Sequence, residues 1–277
     1  MPGAAVAFFP EGHRGFHWAS AVLQEVAKLT AKIDYRKATE RTYRRLVRGR
    51  LKPMRVTVQE TDLSVYADGL KADDVKEVVI TQRGYIEGYI RRYPSFVKTL
   101  APWPADPLAP VVVQEMIQAG IRAGVGPMAA VAGALAERVG RDLLGRTEEV
   151  IIENGGDIFM QTRNPLTVGI FAGHSPLSMK IGLQIEPSET PVSVCTSSGT
   201  VGHSHSKGCA DAVCAVGRSC ALADAAATAV ANRVQARRDI QSAIQWGGTI
   251  AGVEGLLIVV GEKMGIWGRV QLKPLEP

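Results

Sequence analysis

Residues 221–234 read ALADAAATAVANRV, a run of small apolar residues interrupted by one carboxylate and one hydroxyl. The run predicts a helix, in which Asp224 and Thr228 are four residues apart and project from the same face. Carboxylate and hydroxyl oxygens suit Mg²⁺, which completes its shell with phosphate and water. A structural interpretation is equally open: Asp224 caps the helix start, and Thr228 bonds back to the carbonyl four residues earlier.

Strand patterns surround this helix in the second half of the chain, whereas helices dominate the first half. A hairpin is predicted from Met54 to Ala67, with its turn at Thr61 and Asp62. The helix and strand patterns alternate along the chain, which predicts the α+β class, with mixed α/β content and meandering mixed sheets flanked by helices. The other predicted helices run from Asp73 to about Arg92, Val111 to about Ala123 and Met128 to Leu144, and the predicted strands include EEVIIEN, IFMQT, GLLIVVG and GRVQLKP.

A glycine opens the helix of small residues that begins at GPMAA. Gly126 can adopt a positive φ, and Pro127 suits the first helical turn. The unpaired N–H groups of such a helix start form an anion site. A capped helix without any ligand predicts the same residues.

Two glycines form the turn Asn154-Gly155-Gly156-Asp157 between two predicted strands. Glycine lets a ligand approach the backbone, and the Asn154 and Asp157 side chains can hydrogen-bond a polar ligand. An ordinary hairpin turn would use the same residues.

Hydroxyl groups concentrate in the segment from Cys195 to His205, which reads CTSSGTVGHSH. The hydroxyls of Thr196, Ser197 and Ser198 and the backbone of Gly199 could hold a phosphate, with His203 or His205 as acid, base or charge partner. A serine hydrolase is disfavoured because the GxSxG nucleophile elbow is absent.

The charge of the chain is concentrated near its start. The 277 residues carry a net charge of +5, and residues 36–55 hold nine basic residues against Glu40 alone. Such an arm binds phosphates in general or is a solvated helix face, and without a zinc-finger or aromatic-interleaved pattern it does not predict a nucleic-acid binder. We expect residues 1–42 to form an appendage with a helix and this basic arm, and residues 43–277 to form one domain.

The N-terminal MPGAAVAFFPEG lacks the charge and length of a signal peptide. No run approaches the ~20 apolar residues that a membrane span needs. A cytoplasmic protein without a membrane anchor is therefore expected.

Four cysteines, at positions 195, 209, 214 and 220, lie close together in the sequence. No CxxC pair is present, which disfavours zinc-ribbon and ferredoxin sites. Cys209 and Cys214 lie in an apolar run predicted as a buried strand, so structural thiols without disulfides are expected. A redox or Fe–S role is the alternative.

The order of GPMAAVAG, ENGGDI, TSSGT and ADAAATA resembles that of the ApbE-like superfamily, the flavin transferases once called thiamine-biosynthesis lipoproteins. The resemblance runs from about Gly124 to Val230. More closely, the body from Tyr43 resembles a short branch of the superfamily whose members are functionally uncharacterised.

The resemblance implies an ApbE-like fold with FAD in a cleft and Mg²⁺ on its diphosphate, from which FMN passes to a threonine of an acceptor protein. The implied metal ligands are Asp224, Thr228 and the carbonyl of Ala129. The implied catalytic residues are Asp224, Thr228 and His203, and the implied cofactor-binding residues are Gly126, Ala129, Asn154, Gly155, Gly156, Asp157, Thr196, Ser197, Ser198 and Gly199.

Two departures from the family pattern bear on transfer. Ala130-Val131 replaces a Lys-Gly pair, and no Asp-Pro-x-Thr-Gly segment follows His203, although Lys207 or His205 could supply the charge. A non-catalytic flavin-binding or assembly protein therefore stays as an alternative, and homo-oligomerisation is left open.

Overall fold

The computed structural model describes residue 51 and residues 53–199 and 208–275. The predicted appendage at residues 1–42 lies outside this range, as does nearly all of the basic arm. His203, His205 and Lys207 also lie outside the described residues.

The described chain forms helices and strands in the predicted alternation, so the α+β class is confirmed. The five α-helices of this part are α1 Ala72–Arg92, α2 Val111–Ala123, α3 Val131–Leu143, α4 Cys220–Ala231 and α5 Ile240–Gly247. The strands are β1 Pro53–Val58, β2 Thr61–Ala67, β3 Val150–Asn154, β4 Asp157–Gln161, β5 Leu166–Gly169, β6 Ile181–Ile185, β7 Val192–Ser197, β8 Ala212–Gly217, β9 Val253–Val260, β10 Lys263–Gly268 and β11 Leu272–Pro274.

A large sheet of eight strands has the order β1-β2-β3-β4-β7-β8-β9-β10, and a sheet of three strands has the order β11-β6-β5. Every described pairing is antiparallel. Most neighbours in the large sheet are consecutive strands of the chain, and short turns join three of these pairs, β1-β2, β3-β4 and β9-β10.

Three layers result, with the large sheet in the middle. Alternation along β8 sends Val213 and Ala215 into a core shared with the helices, and Cys214 and Val216 into a second core shared with the small sheet. The helical side carries α3 and α4, and these two helices position the candidate site.

Several predicted boundaries are corrected by the structure. The turn of the first hairpin lies at Gln59 and Glu60, and the predicted turn residues Thr61 and Asp62 begin β2. Helix α4 ends at Ala231 instead of Val234, and α5 was not predicted although its buried residues recur at helical spacing. Helices α1 and α2 match their predicted ranges closely, and α1 ends before Tyr93-Pro94 as expected.

Within the described residues, no single helix has both the length and the apolar character to cross a membrane. One pair, Val111–Ala123 with Pro127–Leu143, reaches that length and composition only together, with a bend of 107° between the two members.

Candidate functional site

Helix α4 is buried except for one stripe. Of its twelve residues only Asp224 and Thr228 are half-buried, and the other ten are buried. Because the two are four residues apart, they share the one face of α4 that reaches solvent. In the part of the chain that the structure describes, the Thr228 hydroxyl does not bond back to the Asp224 carbonyl, so that predicted alternative is wrong.

The Asp224 carboxylate caps a neighbouring helix rather than its own. Its Oδ2 accepts a hydrogen bond from the Gly133 backbone N–H at 2.9 Å, in the first turn of α3. The start of α4 is capped instead by Ser219, whose hydroxyl accepts from the Leu222 N–H at 3.3 Å. The predicted capping of α4 by Asp224 is therefore wrong, because Asp224 lies a full turn into the helix.

A carboxylate of α3 in turn caps the start of α4. The Glu137 Oε2 atom accepts a hydrogen bond from the Cys220 N–H at 2.7 Å, and Glu137 also forms an ion pair with Arg141. Each of the two helices thus has N–H groups of its first turn satisfied by an acid from the other helix.

Glycine permits this contact between α3 and α4. A Cβ atom on Gly133 would lie 2.3 Å from the Cys220 carbonyl oxygen and 2.8 Å from the Asp224 Cβ. Real Cβ atoms essentially never lie within 3.0 Å of another residue's heavy atoms, so a larger residue at position 133 would push the helices apart.

The turn Pro127–Ala130 leads into α3 and packs against α4. Ala129 is half-buried in this turn. Gly126 has φ −67° and so does not use the positive φ that glycine permits, and the left-handed residue is Gly124, which ends α2 with φ +72°. Gly126 is needed for another reason, since a Cβ atom there would lie 2.0 Å from the Thr99 carbonyl oxygen.

The double-glycine turn joins β3 to β4 beside the start of α3. Gly155 and Gly156 have φ of +68° and +103°, which only glycine adopts readily. The Asn154 Nδ2 atom donates to the Ala132 carbonyl at 3.0 Å, and the Gly156 N–H donates to the Glu153 carboxylate at 2.8 Å. The turn is therefore fixed both to α3 and to an acid of its own strand.

Asp157 begins β4 and lies opposite Cys195 of β7 in the strand register. It is 6% exposed, and the neighbouring Cys195 thiol and Thr196 N–H favour the ionised form of its carboxylate. Its Oδ1 atom is buried and has no hydrogen-bond partner among the described residues. A buried carboxylate oxygen without a partner is uncommon and calls for a ligand, a proton or a water molecule.

Burial and mutual repulsion disfavour the ionised forms of the two aspartates. Burial raises the pKa of Asp224 to about 7, although the N–H groups of Gly133 and Ala132 favour its anion. Burial also raises the pKa of Asp157 well above its ordinary value, and the negative charge of Asp224 raises it further. Perturbed pairs of this kind cluster at functional sites.

Of the hydroxyl residues at the end of β7, Ser197 faces the helices and Thr196 faces away from them. Ser197 lies two residues from Cys195 and hence on the helix-facing side, and its buried hydroxyl has no partner among the described residues. The Thr196 hydroxyl instead contacts the Cys214 sulfur at 3.3 Å on the opposite side of the sheet. The structure therefore does not bring the Thr196 side chain to Asp224.

Ser198 and Gly199, which follow β7, hydrogen-bond to the residues that precede β8. The Ser198 hydroxyl and the Gly199 N–H both donate to the Ala210 carbonyl, at 3.4 Å and 3.0 Å. A Cβ atom on Gly199 would lie 1.9 Å from the Gly208 carbonyl oxygen, so glycine is required there.

The four cysteines do not converge on one point. Cys195 and Cys220 touch with their sulfurs 3.5 Å apart, Cys214 faces the other core, and Cys209 is exposed. The prediction that Cys209 lies in a buried strand is wrong, since β8 begins only at Ala212. Burial raises the pKa of Cys214 to about 12 and raises those of Cys195 and Cys220, so these thiols stay protonated.

Over the described residues, no group of three or more His, Cys, Asp or Glu side chains is arranged to hold a metal ion. This finding removes the support for an Fe–S cluster in that part of the chain. The donors near α4 are instead two carboxylates, a hydroxyl and backbone carbonyls, a set that leaves coordination positions for a phosphate ligand.

A family model described as AbpE bacteria matches residues 44–253 of the chain. The chain belongs to this family. The predicted membership of the ApbE-like superfamily is confirmed. The matched residues include the helices and strands that carry Asp224, Asp157 and the glycine turns.

Curated relatives carry the name UPF0280 protein. The chain is 36% identical over 222 residues to the protein of Methanococcus aeolicus, with 78% of this chain and 90% of the relative covered. It is 39% identical over 216 residues to that of Methanosarcina acetivorans, with 77% and 85% covered.

Solved structures of flavin transferases share the fold. The apo form of the flavinyl transferase ApbE of Pseudomonas stutzeri has a TM-score of 0.53 at 13% identity, with 78% of this chain and 94% of that chain covered. The flavin transferase ApbE of Vibrio cholerae has a TM-score of 0.51 at 12% identity, with 81% and 96% covered. At such identities the likeness establishes the fold alone.

Sequence reasoning missed three residues that shape the site, namely Gly133, Glu137 and Glu153. Gly133 and Glu137 lie on one helix without an obvious motif, and their partners are distant in the sequence. Glu153 could have been recognised, because an acid three residues before a turn glycine can accept its N–H.

Proposed function

We propose that the face of α4 that carries Asp224 and Thr228 binds the diphosphate of a flavin nucleotide such as FAD through Mg²⁺, and that it supports transfer of FMN to an acceptor protein. The observation that carries this proposal is the exposed stripe of α4. Asp224 and Thr228 alone reach solvent on a helix whose other residues are buried.

The residues present fit a hard divalent cation. Asp224 offers a carboxylate, Thr228 a hydroxyl without a local hydrogen bond, and the half-buried turn at Ala129 a carbonyl. The unpartnered oxygen of Asp157 adds negative charge nearby. When bound, the cation would neutralise the diphosphate and polarise the phosphorus that is attacked.

Roles for the described residues follow from their positions. Gly133 holds the Asp224 carboxylate in one orientation, and Gly155 is exposed in the double-glycine turn. We propose that the Ser197 hydroxyl donates to the ligand and that His203 accepts the proton of the acceptor hydroxyl. The oxygen of that hydroxyl then bonds to the FMN phosphorus, and AMP leaves.

A second candidate is binding without transfer, which one observation favours. Where the flavin transferases have a lysine, this chain has Ala130, which has no exposed surface and presents no cation to a phosphate. A flavin carrier or assembly protein would tolerate this loss, since binding needs less charge stabilisation than a transition state does.

Titration of FAD with the purified full-length protein, with and without Mg²⁺, tests the binding proposal. We expect tighter binding with Mg²⁺ and loss of that difference in Asp224→Ala, whereas Thr228→Val should lose less because water can replace a hydroxyl ligand. Equal affinity of the variant and the parent across the Mg²⁺ titration would reject the metal role. Mass analysis for AMP released from FAD distinguishes transfer chemistry from binding alone.

A further inference from the structure

The unpartnered oxygen of Asp157 lies at the end of a short chain of contacts that leads to the exposed stripe of α4. Asp157 is directly opposite Cys195 in the register, and both face the helical layer. The Cys195 sulfur lies 3.4 Å from the Cys220 carbonyl oxygen and 3.5 Å from the Cys220 sulfur. Cys220 is the first residue of α4, so Asp157 lies beside the start of this helix.

Helical spacing then connects Cys220 to the stripe. Cys220, Asp224 and Thr228 occupy positions i, i+4 and i+8, so Asp224 lies about 40° around the helix from each of the other two. Asp157, approaching Cys220 from the sheet, is therefore on the side of α4 that carries Asp224 and Thr228.

The charge of an ionised Asp157 is not balanced by a paired cation in the part of the chain that the structure describes. No lysine or arginine there forms an ion pair with Asp157 or Asp224, and the two arginines of α3, Arg138 and Arg141, are paired with Glu115 and Glu137. Burying a carboxylate with an unsatisfied oxygen next to a second acid is costly unless a proton or a bound group compensates it.

From these observations we infer that Asp157 is a second carboxylate ligand of the cation proposed for Asp224 and Thr228. The inference rests on the proposed function for the location of the cation, and it adds a residue from the sheet to a site otherwise built on helices. The cation is held between β4 and α4, so the protein can bind it before any nucleotide arrives.

Glu153 provides a matched control. It precedes the same turn, is also buried, and is one of the negative charges that act on Asp157. Its carboxylate is satisfied by the Gly156 N–H at 2.8 Å. Glu153→Gln and Asp157→Asn therefore each remove one nearby negative charge, but only Asp157→Asn removes the unpartnered oxygen.

The experiment measures Mn²⁺ binding to the full-length protein in the absence of nucleotide, by electron paramagnetic resonance and water-proton relaxation. Asp157→Asn should weaken Mn²⁺ binding about tenfold or more, the scale expected for a residue of the metal's environment. The bound ion should also gain one water molecule. Glu153→Gln should change the affinity by less than about threefold and leave the hydration unchanged. Thermal melting checks that both variants are folded, and Asp157→Ala should reproduce the effect of Asp157→Asn.

The inference is overturned if Asp157→Asn and Glu153→Gln weaken Mn²⁺ binding equally, or if neither changes the hydration of the bound ion. Failure of the unmodified protein to bind Mn²⁺ without nucleotide overturns it as well. A lack of Mn²⁺ binding without nucleotide does not reject the proposed function, which the FAD titration tests. The ligand role of Asp157 and the proposed function can therefore be rejected independently.

Discussion

Asp224 Oδ2 lies 2.9 Å from the Gly133 backbone nitrogen, and this hydrogen bond fixes the start of α3 to the second turn of α4. The link is reciprocal, since Glu137 of α3 accepts the Cys220 N–H of α4 at 2.7 Å. Asp224 consequently has a structural role and a proposed ligand role at once. Variants that separate these roles are the most informative.

Asp224→Asn and Asp224→Ala should differ in stability but agree in function. An asparagine carbonyl can still accept the Gly133 N–H, and Asn is as good a helix cap as Asp, whereas Ala costs about 1 kcal/mol. Neither variant offers a carboxylate to Mg²⁺, so both should lose Mg²⁺-dependent FAD binding. Urea unfolding and FAD titration measure the two effects. Retained Mg²⁺ dependence in Asp224→Asn would contradict the ligand role.

Gly133→Ala should destabilise the protein and disturb the site. The added methyl group would collide with the Cys220 carbonyl and the Asp224 Cβ, and overpacking of this kind costs about 1–3 kcal/mol. Gly84→Ala in α1 is the control, because a Cβ there meets nothing within 4 Å. That variant should gain about 0.5–1 kcal/mol from helix propensity. Equal melting temperatures of the two variants would show that α3 and α4 can move apart freely.

The sequence predicts one half of the Asp224 environment and not the other. Helical spacing places Asp224 and Thr228 on one face, because a period of 3.6 residues is a local property. The partner of Asp224 is 91 residues away in the sequence, and no local pattern signals which helix start it caps. The need for glycine at position 126 is hidden for the same reason: the constraint is the nearby Thr99 carbonyl, which only the tertiary structure reveals.

The metal-free protein should lose stability as the pH rises from about 4 to about 7. The pKa of Asp224 is raised from 3.8 to about 7 in the folded state, so over this window the folded protein binds more protons than the unfolded chain. Stability therefore falls as Asp224 ionises, and Asp157, whose pKa is also raised by burial and by the charge of Asp224, adds to the loss.

Melting temperatures of the parent and of Asp224→Asn at several pH values test this dependence, because the contributions of groups that do not interact with Asp224 cancel in the difference. The variant should be relatively more stable at pH 8 than at pH 5, and Mg²⁺ should stabilise the parent most at the higher pH, where it favours the anion. A pH-independent difference would mean that Asp224 titrates normally.

Glu137→Ala should cost more than Glu137→Gln, because the two functions of Glu137 differ in burial. The acceptor for the Cys220 N–H is buried, and its loss leaves that donor unsatisfied at a cost of about 1–3 kcal/mol. The ion pair to Arg141 is partly exposed on the arginine side, and such pairs contribute at most about 1 kcal/mol. Glutamine keeps an oxygen for the Cys220 N–H and loses only the charge. Urea unfolding should therefore rank the parent above Glu137→Gln and both above Glu137→Ala. If the two variants are equally destabilised, Glu137 stabilises the protein through its ion pair with Arg141 and not by capping α4. Of the two reciprocal hydrogen bonds between α3 and α4, only the one from Gly133 to Asp224 could then contribute to stability.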